Sequence, residues 1–195
     1  MSVELLRRVR RAASLYDRLN TTRPMATKSA TSGALLGAGD LLCQTLQAEQ
    51  RQWDWARAAR MTLWGLLVNG PSGHFWYRGL DKAIVANGAR GVALKVLADQ
   101  LIYTPPITWL YFVWQNVLSG ADGGSSALHS AATQVWPTLQ VNWVYWSVVH
   151  VATFSVIPLE YRVAFVAVKN FLWGGYLSWA AECAHINHPK ASISV

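Results

Sequence analysis

Asn142, Trp146, His150 and Thr153 fall at i, i+4, i+8 and i+11, so a helix through them presents an amide, an indole, an imidazole and a hydroxyl on one face. None of the four is a nucleophile with a base beside it. Such a row can line a wet cavity or bond a neighbouring helix, and an imidazole within it changes charge near neutral pH. Asp40 sits inside the apolar run Ala30–Leu46. An acid at that depth in a bilayer costs roughly 3 kcal/mol unless paired, protonated or hydrated, which leaves two readings, a cavity-lining carboxylate or an acid bonded to another helix. Asn69 opens the interruption Asn69-Gly70-Pro71-Ser72-Gly73 within the second apolar run, Met61–Tyr77, and His74 follows it. A helix should kink or locally unwind there, and backbone freed at membrane depth must face protein or water. His74 has no partner at metal-ligand spacing and reads first as a hydrogen-bonded structural residue.

The sequence argues against catalysis. It contains no nucleotide-binding loop, metal cluster or nucleophile with its base, and Ser178 in Tyr-Leu-Ser-Trp lacks the Gly-x-Ser-x-Gly elbow. Neither an enzyme nor a bound cofactor is expected. Cys43 and Cys183 lie in or beside apolar runs and read as buried thiols, with a disulfide left open by sequence alone. The net charge of +7 is not organised for nucleic acid, since the basic residues are not grouped with base-stacking aromatics. Seven of the 17 Lys and Arg precede residue 29 and most others sit between apolar runs, where anionic lipid headgroups explain them.

The elements that position these residues follow from composition. Charged residues are 14% of the chain, hydrophobic ones 52%, and 11 residues are Trp, a balance that favours a membrane protein over a soluble domain. Residues 1–28 form a basic amphipathic segment, 29–182 a membrane helix bundle, and 183–195 a short tail. The bundle holds the runs Ala30–Leu46, Met61–Tyr77, Val96–Leu118, Val135–Ile157 and Ala164–Ala181. Gly33 and Gly37 give the first a smooth small-residue face that another helix can approach. Trp53 and Trp55 suit an interface, and Pro105-Pro106 bends the third run or starts a new helix. The expected fold is all-α, a polytopic membrane helix bundle with four to five apolar spans, at least two of them kinked at Pro or Gly. On that topology the distribution of basic residues places the N-terminal segment on the matrix or cytoplasm-like side.

Several less common residues occur in a familiar order: Gly39-Asp40 and Gln44, Gly70-Pro71, His74, Trp76-Tyr77, Leu80-Asp81, Lys95, Asp99-Gln100 and Pro105, then Trp136-Pro137, Asn142-Trp143, Trp146, Phe154, Pro158, Tyr161-Arg162, Trp173 and Tyr176-Leu177-Ser178-Trp179. In this the chain resembles the Mpv-seventeen and peroxisomal-membrane-protein family from about Tyr16 to Trp179. It departs from that family's Trp-Pro-x-x-Gln-x-x-Asn-Phe on the polar stripe itself, with Trp146-Ser147, His150 and Thr153-Phe154. The resemblance implies four spans and a weakly selective small-solute channel of the mitochondrial inner membrane, with the peroxisomal membrane as the alternative. The competing expectation is a non-transporting accessory subunit of a larger respiratory or ATP-synthase-type complex. Membrane lipids, such a complex or further copies of the chain are the expected partners, and nucleic acid is not.

Overall fold

The computed structural model of the chain describes residues 3–46, 53–85, 88–120, 125–155, 169, 171–176 and 179. Among these, seven α-helices follow one another: α1 (Val3–Thr22), α2 (Pro24–Leu46), α3 (Trp55–Trp64), α4 (Gly70–Ala83), α5 (Gly88–Ala98), α6 (Thr104–Leu118) and α7 (Ser125–Ser155). One turn of π-helix, Gly65–Asn69, joins α3 to α4, and a second, Asp99–Tyr103, joins α5 to α6. Each pair is therefore a single rod.

Local chemistry sets these boundaries. Pro24 opens α2, where a missing N–H is no loss. Asp54 caps α3 by accepting the Arg57 backbone N–H at 2.8 Å. Both π-turns stand immediately before a proline. The Gly70 N–H bonds to the Gly65 carbonyl and the Thr104 N–H to the Asp99 carbonyl, and the next residues are Pro71 and Pro105. A proline inside an α-helix lacks a donor and clashes with the carbonyl four residues back. The wider turn accommodates it without ending the rod. The expected break at Asn69–Gly73 and the expected bend at Pro105-Pro106 are thus both π-turns within continuous helix.

The rods pack as antiparallel neighbours in chain order. Between α2 and the α3–α4 rod the contacts run Gln44 with Asp54, Asp40 with Arg57, Gly33 with Gly65 and Ser29 with Gly70. The crossing is at backbone contact, since a Cβ added at Gly65 would stand 2.6 Å from the Gly33 Cα. The small-residue face of α2 is therefore occupied within the chain. Between the α3–α4 and α5–α6 rods, Tyr111 meets Met61, Ser72 meets Tyr103, and Trp76 meets Asp99. Between α6 and α7, Asn116 bonds the Ala127 carbonyl and Trp143 bonds the Gln100 carbonyl. Residues 171–176 are helical and touch both outer rods. Gly39 of α2 lies against the backbone of Phe171 and Gly175, and Tyr145 of α7 stacks on Trp173 with ring centroids 5.3 Å apart. This contact closes the bundle around a core of Leu36, Met61, Trp64, Tyr111, Phe112 and Ala131.

The all-helical expectation is met, but the polytopic membrane bundle with four to five apolar spans is corrected: no helix among the described residues is long and apolar enough to cross a membrane. Length and polarity both contribute. Within the two continuous rods the π-turns leave regular α-helical stretches of 10, 14, 11 and 15 residues, each below the about 17 residues that a crossing α-helix takes. The three long helices are diluted by polar residues, α1 by its arginines, α2 by Lys28, Ser29, Thr31, Ser32, Asp40 and Gln44, and α7 by Gln134, Thr138, Gln140, Asn142 and His150. The expected sidedness of the N-terminal segment falls with the spans. The fifth run, Ala164–Ala181, lies mostly outside the described residues, as do Cys183 and the hinge Pro158–Arg162.

Candidate functional site

Beside its hydrophobic core this bundle buries many polar groups. Among the described residues 13 polar or charged side chains are buried against 11 hydrophobic ones, while Leu63, Leu67, Phe75, Leu101, Ile102, Trp109, Val144, Val148 and other large apolar side chains are exposed. Buried polar groups must find partners or be costly, so the interior polar residues are where function is to be sought.

The innermost charge is Asp40, which is fully buried. Its Oδ1 accepts from Arg57 Nε at 2.7 Å and its Oδ2 from Gln44 Nε2 at 2.8 Å. Gln44 in turn donates to the Asp54 carbonyl at 3.0 Å and accepts the Asp54 N–H at 2.7 Å. Arg57 is itself 5% exposed and lies 3.6 Å from Cys43 Sγ. The acid is thus bonded to a neighbouring helix. The stretch Glu49–Arg60, expected to be a polar connection, is helical from Trp55 onward and sends Arg57 inward.

A second tie holds the first π-turn to α2, with Asn69 Nδ2 donating to Ser32 Oγ at 2.9 Å. Beyond it Ser72 and Tyr103 share a hydrogen bond of 2.8 Å, Trp76 Nε1 donates to Asp99 Oδ1 at 3.0 Å, and the Trp76 ring stacks on Tyr103 at 5.1 Å. His74 is buried, and its Nδ1 has no hydrogen-bond partner.

The third polar group lies where α7 meets the second π-turn. In a π-turn the carbonyl of residue i awaits the N–H of residue i+5, and for Gln100 that residue is Pro105, which has none. The Trp143 indole N–H fills the place, donating to the Gln100 carbonyl at 3.1 Å. Around this bond Gln100, Thr104, Thr138 and Asn142 are all buried.

Of the expected stripe, Asn142 is inward and Trp146 is half-buried against Trp173, with ring centroids 6.2 Å apart. His150 and Thr153 continue the α7 backbone, and their side chains lie outside the described residues. Asp40, Asn69 and His74 belong to other helix pairs, so the expected site residues do not form one cluster. Sequence reading missed a buried polar series on the α5–α6 rod, Gln100, Thr104, Thr108, Tyr111 and Gln115, whose spacing of four, four, three and four repeats the helical period. It also missed Arg57, which only the antiparallel pairing of α2 and α3 brings to Asp40.

A helical bundle with a hydrogen-bonded polar interior and an apolar exterior is of the kind that functions in contact with lipid. Comparison with known proteins gives the same class a family. Residues 116–178 match the profile of the Mpv17 / PMP22 family. The chain is 30% identical to PXMP2/4 family protein 2 of Dictyostelium discoideum, over 87% of this chain and 91% of the relative. It is 33% identical to protein sym-1 of Neurospora crassa, over 85% and 96%. Against peroxisomal membrane protein 2 of Bos taurus it is 31% identical, over 87% and 89%. The chain belongs to the Mpv17 / PMP22 family. No solved structure matches it.

Proposed function

We propose that this chain is an organellar membrane protein, of the mitochondrial inner membrane with the peroxisomal membrane as the alternative, whose polar interior gives small solutes a weakly selective path. The resemblance read from sequence supports the mitochondrial inner membrane, and the bovine relative, named for the peroxisomal membrane, supports the alternative. The observation that carries the reading is the burial of amides, hydroxyls and an ion pair while many large apolar side chains stand outward. The apolar exterior rests against lipid, and anionic headgroups meet Arg7, Arg8, Arg10 and Arg11, all exposed on α1. No catalytic step, cofactor or nucleic acid enters the proposal. His150 and Asn142 are the residues through which passage would be tuned, His150 by its protonation near neutral pH. The test is release of small neutral and charged solutes from vesicles reconstituted with the purified chain. Release equal to that of protein-free vesicles for every solute sinks the path.

One observation favours a second reading, a non-transporting subunit of a larger inner-membrane complex. The members of the Asp40–Arg57–Gln44–Asp54 group bond one another between α2 and the start of α3, as a seam that holds helices together would. Migration in mild detergent separates the two readings, since a subunit travels with a stoichiometric large complex and a self-contained path travels alone or with copies of itself.

A further inference from the structure

Three side-chain atoms at the junction of α7 and the second π-turn are buried without a hydrogen-bond partner, Gln100 Nε2, Gln100 Oε1 and Asn142 Oδ1. Gln100 is 6% exposed and Asn142 5%. Their position at one level of the α6–α7 pair follows from its register. The bonds from Asn116 to Ala127 and from Trp143 to Gln100 are separated by the same number of residues on both helices, which sets Asn142 beside the turn that carries Gln100. A buried amide group left unbonded costs about 1–3 kcal/mol. Here two of the three atoms, those of Gln100, lie on a π-turn, a feature that recurs at functional sites.

We propose that Gln100 and Asn142 form a binding site for one small uncharged hydroxyl-bearing molecule. The atoms fix the chemistry. Gln100 Nε2 offers hydrogens, the two amide oxygens accept them, and a hydroxyl group both donates and accepts. Charge is disfavoured because these groups supply no counter-charge, and the nearest acid in sequence, Asp99, is turned to Trp76 of α4. The small size follows from the Trp143 indole, which closes on the Gln100 carbonyl at 3.1 Å, and from Thr104 and Thr138, one helical turn from Gln100 and Asn142 and both buried. Water and a short polyol share this chemistry. The inference rests on the proposed path for its role, as a station where neutral hydroxylated solutes would pause, but its test does not require transport.

The test uses the full chain in detergent, with Gln and Asn side-chain amides labelled with nitrogen-15. The Gln100 amide signal is assigned by its loss in Gln100→Met, or by its displacement in Asn142→Leu should the first variant not fold. A long-lived water shows as a cross-relaxation signal between the Gln100 amide hydrogens and water. A polyol shows as a saturable shift of the same signal on titration with glycerol or erythritol, absent in Asn142→Leu and not reproduced by acetate or glycine. Either result supports the site and names its source. Neither signal, or an equal response to acetate, overturns it. Vesicle release unaffected by a missing signal would leave the path standing without this station, whereas a signal in a chain that releases nothing would leave the site and remove the path.

Discussion

Asp40→Leu tests whether the interior is held by the buried Asp40–Arg57 ion pair. The substitution removes a carboxylate that is wholly buried and accepts two hydrogen bonds, 2.7 Å from Arg57 Nε and 2.8 Å from Gln44 Nε2. It leaves a guanidinium 5% exposed without that carboxylate. Hydrogen bonds to charged groups contribute about 1.5–3 kcal/mol each, and removing one member of a buried pair costs about 3–5 kcal/mol, so the two scales agree on a loss of about 3–5 kcal/mol. Arg57→Met leaves the buried carboxylate without its guanidinium and should lose a similar amount. The double variant Asp40→Leu/Arg57→Met removes both charges together and should recover most of either loss, giving a coupling of about 3 kcal/mol. Equilibrium urea unfolding in mild detergent, followed by tryptophan fluorescence, measures all three. Trp64 and Trp114, with ring centroids 6.0 Å apart beside the core, report on it directly. Single variants within about 1 kcal/mol of wild type, or a double variant as unstable as the two losses combined, would refute the reasoning.

Gly65→Ala should cost about 1–3 kcal/mol in the same unfolding assay, because the new Cβ meets the Gly33 backbone, which cannot rotate away; Gly33→Leu, driven into Leu66 and the Thr62 carbonyl, should be worse. Trp143→Phe leaves the Gln100 carbonyl buried without its indole and should cost about 1–3 kcal/mol. Pro105→Ala returns an N–H to that carbonyl and should reduce the cost of Trp143→Phe when the two are combined; purely additive losses would exclude the proposed exchange of donors. Replacing Arg7, Arg8, Arg10 and Arg11 by Gln should weaken binding to vesicles rich in anionic lipid by about 1 kcal/mol per residue and flatten its salt dependence, as measured by co-sedimentation.

Helical periodicity was legible wherever it did not depend on tertiary pairing. The inward side of Asn142 and the small-residue face of Gly33 and Gly37 follow from spacing alone, because a helix has a fixed angle per residue. What spacing cannot supply is the partner. Arg57 looked like part of a polar connection until α3 was seen to run back along α2, and nothing in the spacing around Gln100 shows that Pro105 takes away the donor to its carbonyl. The membrane spans were misread for a related reason. Run length was counted from apolar content without the two π-turns that divide it, or the polar inner faces that dilute the long helices. His150 and Thr153, on which the stripe depended most, carry side chains beyond the described residues.

The π-turns also fix the phase of everything beyond them. Each holds one residue more than an α-turn needs over the same stretch, and one residue corresponds to about 100° of rotation about a helix axis. Deleting a residue within Gly65–Asn69 would restore ordinary winding and swing α4 around its axis, carrying Ser72, His74 and Trp76 away from the faces they now meet. The same deletion within Asp99–Tyr103 would turn Asp99 out of reach of Trp76 or Thr104 out of the interior. Relatives that differ in length should therefore gain and lose residues freely at the helix connections but singly within a rod only in compensating pairs. A relative without one of these turns would need an added residue before the position of Pro71 or Pro105 to keep its indole on its carboxylate.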